Sequence, residues 1–209
     1  MSAIQVPIGV LLAGGRSERM GGGDKTLKLL GGKPMLTRII ARAGPQVGEL
    51  IVNANGDPSR FAEFGLPVVA DVVEGFAGPL AGILSALEWA ALNRPGAEWL
   101  ASFPTDAPFF PADLVANLAE AAARESADLA CARTEDGAHP VFGLWRVALR
   151  HDLRRAMTEE NVRKVDAWTA RYKLAHVDYA TTPFNPFFNV NRPENLAEAE
   201  RLLAGTAVG

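Results

Sequence analysis

Cysteine is nearly absent from this sequence and histidine is scarce, with one Cys and three His in 209 residues. A lone Cys131 excludes an intramolecular disulfide, and so few thiols and imidazoles exclude a zinc site of the usual kind. Charge of one sign is also lacking. With 21 Lys and Arg against 24 Asp and Glu, the chain has no global positive field of the sort that non-specific nucleic-acid binding needs. Any anion it binds must be met by a local cluster. Nowhere do roughly 18 apolar residues run uninterrupted, and Met1–Pro7 shows no basic region followed by an apolar stretch, so the expectation is a cytoplasmic protein with neither membrane nor nucleic-acid contacts. Repeats, charge runs and low-complexity tracts are missing as well. What is there is a chain with 48% hydrophobic residues, enough for a core, whose chemistry must come from oxygen ligands, backbone amides, Lys and Arg.

The apolar runs are short and bounded by glycine and proline. Ile8–Leu12, Leu50–Val52, Val68–Ala70 and Trp99–Phe103 read as strands buried on both faces of a parallel sheet. Between them lie segments with three- and four-residue apolar spacing: Leu36, Ile39 and Ile40; Ile83, Leu84 and Leu87; Leu114, Leu118 and Ala122. This alternation predicts an α/β fold, a three-layer, doubly wound, mostly parallel sheet whose ligand site lies beyond the carboxyl ends of its strands. Leu129–Ala132, Val141–Trp145 and Lys173–Val177 add strands of a mixed sheet, and Pro193 opens a last helix with Leu196, Ala199, Leu202 and Leu203 on one face. We expect one domain over residues 1–209, with a nucleotide-binding half at 1–110 and an acceptor half at 111–209.

The loop after the first run, Leu12-Ala13-Gly14-Gly15-Arg16-Ser17-Glu18-Arg19-Met20-Gly21-Gly22-Gly23-Asp24-Lys25, puts five glycines among ten residues beside three cations. Backbone amides can approach an anion there, and Arg16, Arg19 and Lys25 add positive charge, so the loop reads as a triphosphate cradle. It is neither a P-loop, because Asp24 separates Gly23 from Lys25, nor a dinucleotide fingerprint, whose glycine spacing it lacks.

In these residues the sequence resembles the molybdenum cofactor guanylyltransferases, among the nucleotidyltransferases of glycosyltransferase-A-like, nucleotide-diphospho-sugar transferase-like Rossmann fold. The matching segments are Leu12–Gly15, Arg19–Gly22, Asp24-Lys25, Gly78–Gly82, Pro104–Phe109, His139–Val141 and Phe188–Asn191, spread over nearly the whole chain. The resemblance implies transfer of GMP from GTP to the phosphate of molybdopterin, release of pyrophosphate and use of Mg2+. It also implies transient contact with cofactor-biosynthesis or molybdoenzyme partners. Guanylyl rather than cytidylyl transfer is favoured because Leu-Ala-Gly-Gly stands where the CTP-using branch tends to show Leu-Ala-Ala-Gly. A glycosyltransferase is disfavoured by the lack of any Asp-x-Asp, and a GTP-binding adaptor without turnover by the lack of a P-loop.

Residue types bear on this chemistry one by one. Asp106 follows an apolar strand, and one carboxylate opposite a triphosphate suffices for magnesium, which keeps few protein ligands; its other reading is turn chemistry before Pro108. With Arg19 and Lys25 it forms the expected catalytic set. Leu12, Ala13, Gly14, Gly15, Lys25, Asn53, Asp71, Gly78, Gly82 and Asp106 are the expected nucleotide contacts. Asn53 and Asp71 each follow a strand, where an acceptor suits a ribose hydroxyl or the paired N1 and N2 donors of guanine, or merely caps the strand end. Gly78 and Gly82 leave room for a base beside a helix that Pro79 opens. Asn189 and Asn191, two apart in an extended segment, face one way; Asn191 also reads as a turn into the last helix. Arg163 and Lys164 form either an acceptor-binding pair, together with Asn189 and Asn191, or a solvated helix face. His139 is structural or a substrate contact rather than a base. Trp145 and Trp168 read as core residues, with bordering a pterin as the other reading.

Overall fold

The computed structural model describes residues 5–14, 25–75 and 78–206. Its strands are β1 (Ile8–Leu12), a small hairpin of β2 (Leu29–Leu30) and β3 (Lys33–Pro34), then β4 (Glu49–Asn53), β5 (Val68–Val69), β6 (Trp99–Pro104), β7 (Leu129–Thr134), β8 (Gly137–Arg146) and β9 (Leu174–Asp178). Seven of them form one sheet in the order β5-β4-β1-β6-β8-β7-β9. All neighbours in it run parallel except the two pairs made by β8. The mixed α/β sheet expected from the apolar runs is what the chain forms.

Among the described residues six helices flank it: α1 (Met35–Ala43), α2 (Pro79–Asn93), α3 (Leu114–Glu125), α4 (Arg150–Thr158), α5 (Val165–Thr169) and α6 (Pro193–Thr206). Alternate strand residues sort into two cores. Leu11, Val52 and Phe103 pack with α1, α3 and α6, whereas Val10, Ile51 and Leu100 pack with α2, α4 and α5. The period-two alternation of a strand thus builds three layers. α2 is buried along most of its length, which is why its sequence reads apolar all round rather than amphipathic. Trp145 and Trp168 stack in the second core with centroids 6.0 Å apart.

β8 departs from the sequence expectation of Val141–Trp145, and the departure shapes the site. On β7, Cys131 faces Gly143 but the next residue, Ala132, faces His139. Pro140, Val141 and Phe142 are therefore left over and bulge out at the carboxyl edge of β6. Gly143 makes room for this. A Cβ there would lie 2.7 Å from the carbonyl oxygen of Pro140 and 3.0 Å from Nε1 of Trp145. The buried Trp145 donates through Nε1 to Oγ of Ser102 at 2.8 Å, and that hydroxyl donates to the carbonyl of Val141 at 2.6 Å. One relay satisfies the indole and pins the bulge.

Candidate active site

A cleft of about 1120 Å³ opens beyond the carboxyl ends of β1, β4, β5 and β6, where an open α/β sheet places its ligand. The 1–110 half contributes Leu12, Gly14, Thr26, Asn53, Asn55, Asp71, Val73 to Gly75, Gly78, Pro79 and Pro104 to Asp106. The 111–209 half contributes Ala138, His139 and the bulge residues Pro140 to Phe142, with Phe187, Asn189 and Asn191. At the entry to α2, Gly78 holds φ 137° with Pro79 as the first helical residue, a backbone that only glycine adopts without strain.

On the first wall the side chains are locked together. Asn53 is 3% exposed and spends both N–H groups, donating Nδ2 to the carbonyl of Val69 at 3.1 Å and to Oδ1 of Asp71 at 2.9 Å. Asn55 donates Nδ2 to the other carboxylate oxygen of Asp71 at 2.7 Å and accepts the Asp71 backbone N–H at 2.9 Å. Gly82 serves this cluster rather than a base. It is buried in α2, and a Cβ on it would meet Oδ1 of Asn53 at 2.2 Å and Cδ2 of Leu12 at 2.8 Å. The expected open space beside Gly82 is filled by the Asn53 amide, because α2 crosses directly under the end of β4.

Across the cleft, Asp106 stands just past β6, and its carbonyl accepts the N–H of Val190 at 2.7 Å. That bond draws the 189–191 segment to the sheet edge. Val190 is fully buried while Asn189 and Asn191 on either side are exposed and line the cleft, the alternation expected of an extended chain. His139 stacks on Phe187 with centroids 4.7 Å apart and shares a 2.9 Å hydrogen bond between Nε2 and Oγ1 of Thr134. Burial pushes its pKa below the usual histidine value, against the opposing pull of Asp136, so the ring is neutral at pH 7.

Most residues expected from the sequence meet in this one cleft: Leu12, Gly14, Asn53, Asp71, Gly78, Asp106, Asn189 and Asn191. Ala13 lies buried beside it, its N–H bonded to the carbonyl of Asn53 at 2.9 Å. Gly15 and Arg19 lie outside the described residues, as does the side chain of Lys25, whose backbone begins a 3-10 turn at Lys25–Leu27. Arg163 and Lys164 do not line the cleft; Arg163 donates Nε to Oδ1 of Asn161 at 3.0 Å, and Lys164 immediately precedes α5. Asn55, Glu74, Thr26, Thr105 and Phe187 are lining residues that sequence reasoning missed. Asn55 carried a signal, but Asn55-Gly56 reads as a plain turn.

The charged side chains described on the cleft walls are Asp71, Glu74 and Asp106, all acidic. A triphosphate would be repelled by them without added cations. Among the described residues no three His, Cys, Asp or Glu side chains cluster, so a chelating all-protein metal cage is not the arrangement here. One carboxylate, Asp106, with the oxygen-bearing Asn189 and Asn191 around the same cleft fits a hard divalent cation that takes its other ligands from water and phosphate.

The model of the MobA-like NTP transferase domain matches residues 9–176. The chain belongs to the MobA-like NTP transferase family. As a member of that family it is a nucleotidyltransferase, and the matched span carries both walls of the cleft except Phe187, Asn189 and Asn191. It is similar to a molybdenum cofactor guanylyltransferase of Nitrobacter hamburgensis, 57% identical over 196 residues and covering 94% of each chain. Among solved structures it resembles molybdopterin-guanine dinucleotide biosynthesis protein A from Archaeoglobus fulgidus, with a TM-score of 0.74, 20% identity and coverage of 95% of this chain and 99% of that one. A Mycobacterium tuberculosis H37Rv protein of the same fold, solved in complex with manganese, matches with a TM-score of 0.67 at 17% identity over 94% and 99% of the two chains. Among the described residues no helix of this family member is long and apolar enough to cross a membrane.

Proposed function

We propose that this MobA-like transferase moves the GMP half of GTP to the terminal phosphate of molybdopterin and releases pyrophosphate; its 57% identical relative bears the name molybdenum cofactor guanylyltransferase. The observation that carries the reading to particular residues is the single cleft with the Asn53-Asp71-Asn55 cluster on one wall and Asp106 beside Asn189 and Asn191 on the other. GTP lies along the 1–110 wall and the acceptor along the 111–209 wall.

The roles follow from the chemistry of each group. Asp71, with one lone pair on each oxygen taken by an amide, offers acceptors to adjacent N–H or O–H donors of the nucleoside. Asp106, with Asn189 and Asn191, would hold a divalent cation, Mg2+ by preference; when bound it offsets the negative charge of the phosphates. Arg19, Lys25 and the amides of Gly14 and Gly15 are proposed to stabilise the departing pyrophosphate, since positioning and charge supply most of the catalysis in such transfers. The acidic described walls make that supply of positive charge a requirement. No general base is needed, because a phosphate monoester has its second pKa near ~6 and is mostly dianionic at pH 7. A neutral His139 is consistent with that. The acceptor phosphate is placed first against Asn189 and Asn191, with Arg163 and Lys164 acting only if the acceptor extends beyond the cleft.

The test is pyrophosphate release from each of the four nucleoside triphosphates in the presence of molybdopterin and Mg2+. Release confined to GTP supports the reading. Release with CTP, or none with any nucleotide, overturns it.

A further inference from the structure

Asp71 lies two residues past the end of a strand that is itself only two residues long. β5 pairs with β4 through Val52↔Val68 and Asn53↔Val69, and beyond Val69 the one further ladder-like bond runs from the Ala54 N–H to the Val69 carbonyl at 3.0 Å. Among the described residues no strand pairs with residues 71 and 72. Side chains take its place. The side-chain Oδ1 of Asn55 accepts the Asp71 N–H at 2.9 Å, and the Oγ of Ser85, on α2, accepts the Val72 N–H at 2.9 Å while donating to the carbonyl of Ala81 at 2.7 Å.

Asn55 does more than replace the backbone. Its Nδ2 donates to Oδ2 of the same Asp71 at 2.7 Å, while Asn53 donates to Oδ1 at 2.9 Å. Two amides thus grip one carboxylate from opposite ends, and Asn55 closes a ring by bonding both the backbone and the side chain of Asp71. The amide orientation of Asn53 is fixed by chemistry, because both its Nδ2 partners, a carbonyl and a carboxylate oxygen, are acceptors only. Asn53 is rigid and buried; Asn55 is exposed and is the grip that can be altered without opening the core.

We propose that Asn55 is a positioning residue for nucleotide recognition, holding the Asp71 carboxylate in one plane so that its remaining lone pairs lie side by side toward the cleft. This rests on the reading of Asp71 as a GTP contact. A carboxylate held this way takes two adjacent donors, and GTP presents two such pairs: the N1–H and N2–H edge of guanine and the 2′,3′-hydroxyls of ribose. Asn55 thereby acts on affinity for the nucleotide without touching it.

The experiment measures equilibrium binding of GTP with Mg2+ to the wild type, Asn55→Ala, Asp71→Ala and the double variant, with thermal unfolding alongside. A charge-assisted bond to a carboxylate is strong enough that its loss should weaken GTP binding by about tenfold in Asn55→Ala. The unfolding midpoint should move little, because Asn55 is exposed. The double variant should bind no more weakly than Asp71→Ala alone, since Asn55 acts only through Asp71. Asn55→Asp, which keeps the shape but sets an oxygen against Oδ2, should bind more weakly than Asn55→Ala. The source of the donors is read with inosine triphosphate, which lacks the N2 amine, and 2′-deoxyGTP, which lacks one hydroxyl. Sensitivity to Asn55→Ala should vanish with one of the two and persist with the other. Additive losses in the double variant, or unchanged binding in Asn55→Ala while Asp71→Ala binds weakly, overturn the positioning role. Unchanged binding in Asp71→Ala overturns instead the placement of GTP on which it rests.

Discussion

Replacing Gly82 by Ala sets two effects of opposite sign against each other inside α2. Alanine is the better helix former in a helix interior, and that term alone would stabilise the protein by about 1 kcal/mol. Against it stands the geometry, since the new Cβ would lie 2.2 Å from Oδ1 and 2.9 Å from Cγ of Asn53, and 2.8 Å from Cδ2 of Leu12. The Asn53 amide is the end of a side chain, but it is not free to turn away. It is buried and held by the Val69 carbonyl and the Asp71 carboxylate. Moving it forfeits one neutral hydrogen bond worth about 1 kcal/mol and one to a charged group worth about 1.5–3 kcal/mol. The balance is a net destabilisation of about 1.5–3 kcal/mol, or a drop in Tm of about 3–12 °C for a chain of this size. GTP affinity should fall with it, because Asp71 loses a partner. Thermal unfolding together with GTP titration of Gly82→Ala checks both. A variant as stable as the wild type, with unchanged GTP affinity, would refute the claim that Gly82 exists to seat Asn53.

Other expectations follow from neighbouring contacts. Ser102→Ala leaves the buried Nε1 of Trp145 without its acceptor and frees the Val141 carbonyl; it should cost about 1–3 kcal/mol in urea unfolding. His139 is held neutral in the fold, below its ordinary pKa, by burial, so the unfolded chain takes up a proton first as pH falls. Stability should therefore be lost as pH drops through the ordinary histidine value toward the lower folded one, and His139→Gln should flatten that part of the pH profile of denaturation midpoints. Arg163→Ala with Lys164→Ala should change the KM for molybdopterin by no more than about twofold, the effect of solvated residues away from the cleft; a tenfold rise would return the pair to the acceptor site.

The strands that position the site were legible because buried parallel strands are apolar runs, as Ile8–Leu12 and Trp99–Pro104 show. Their exits gave Asn53, Asp71 and Asp106 for the same reason. What stayed hidden depends on elements brought together from afar. Gly82 reads as space for a base because nothing local in α2 says that it lies against the end of β4. Asn55 shows nothing of its role locally, because its partner is 16 residues away. The three-residue bulge of β8 is set by its register against β7, a property of two strands rather than one, and so the sequence shows a strand only from Val141 and leaves His139 open between a structural role and a substrate contact. Arg163 and Lys164 showed the reverse problem. Adjacent cations carry the same pattern on a binding face as on a solvated one, and only their position relative to the cleft separates the two.

The most direct test of the central claim is pyrophosphate release from GTP and molybdopterin by Asp106→Ala, measured with saturating Mg2+ beside the wild type. The side chain of Asp106 lies at the cleft while its backbone carbonyl, which anchors Val190, is kept in the variant, so the fold should survive with an unfolding midpoint close to the wild type. Loss of the cation's protein carboxylate should remove several kcal/mol of stabilisation, and turnover should fall by about a thousandfold or more. A folded Asp106→Ala protein that releases pyrophosphate at the wild-type rate would contradict the account.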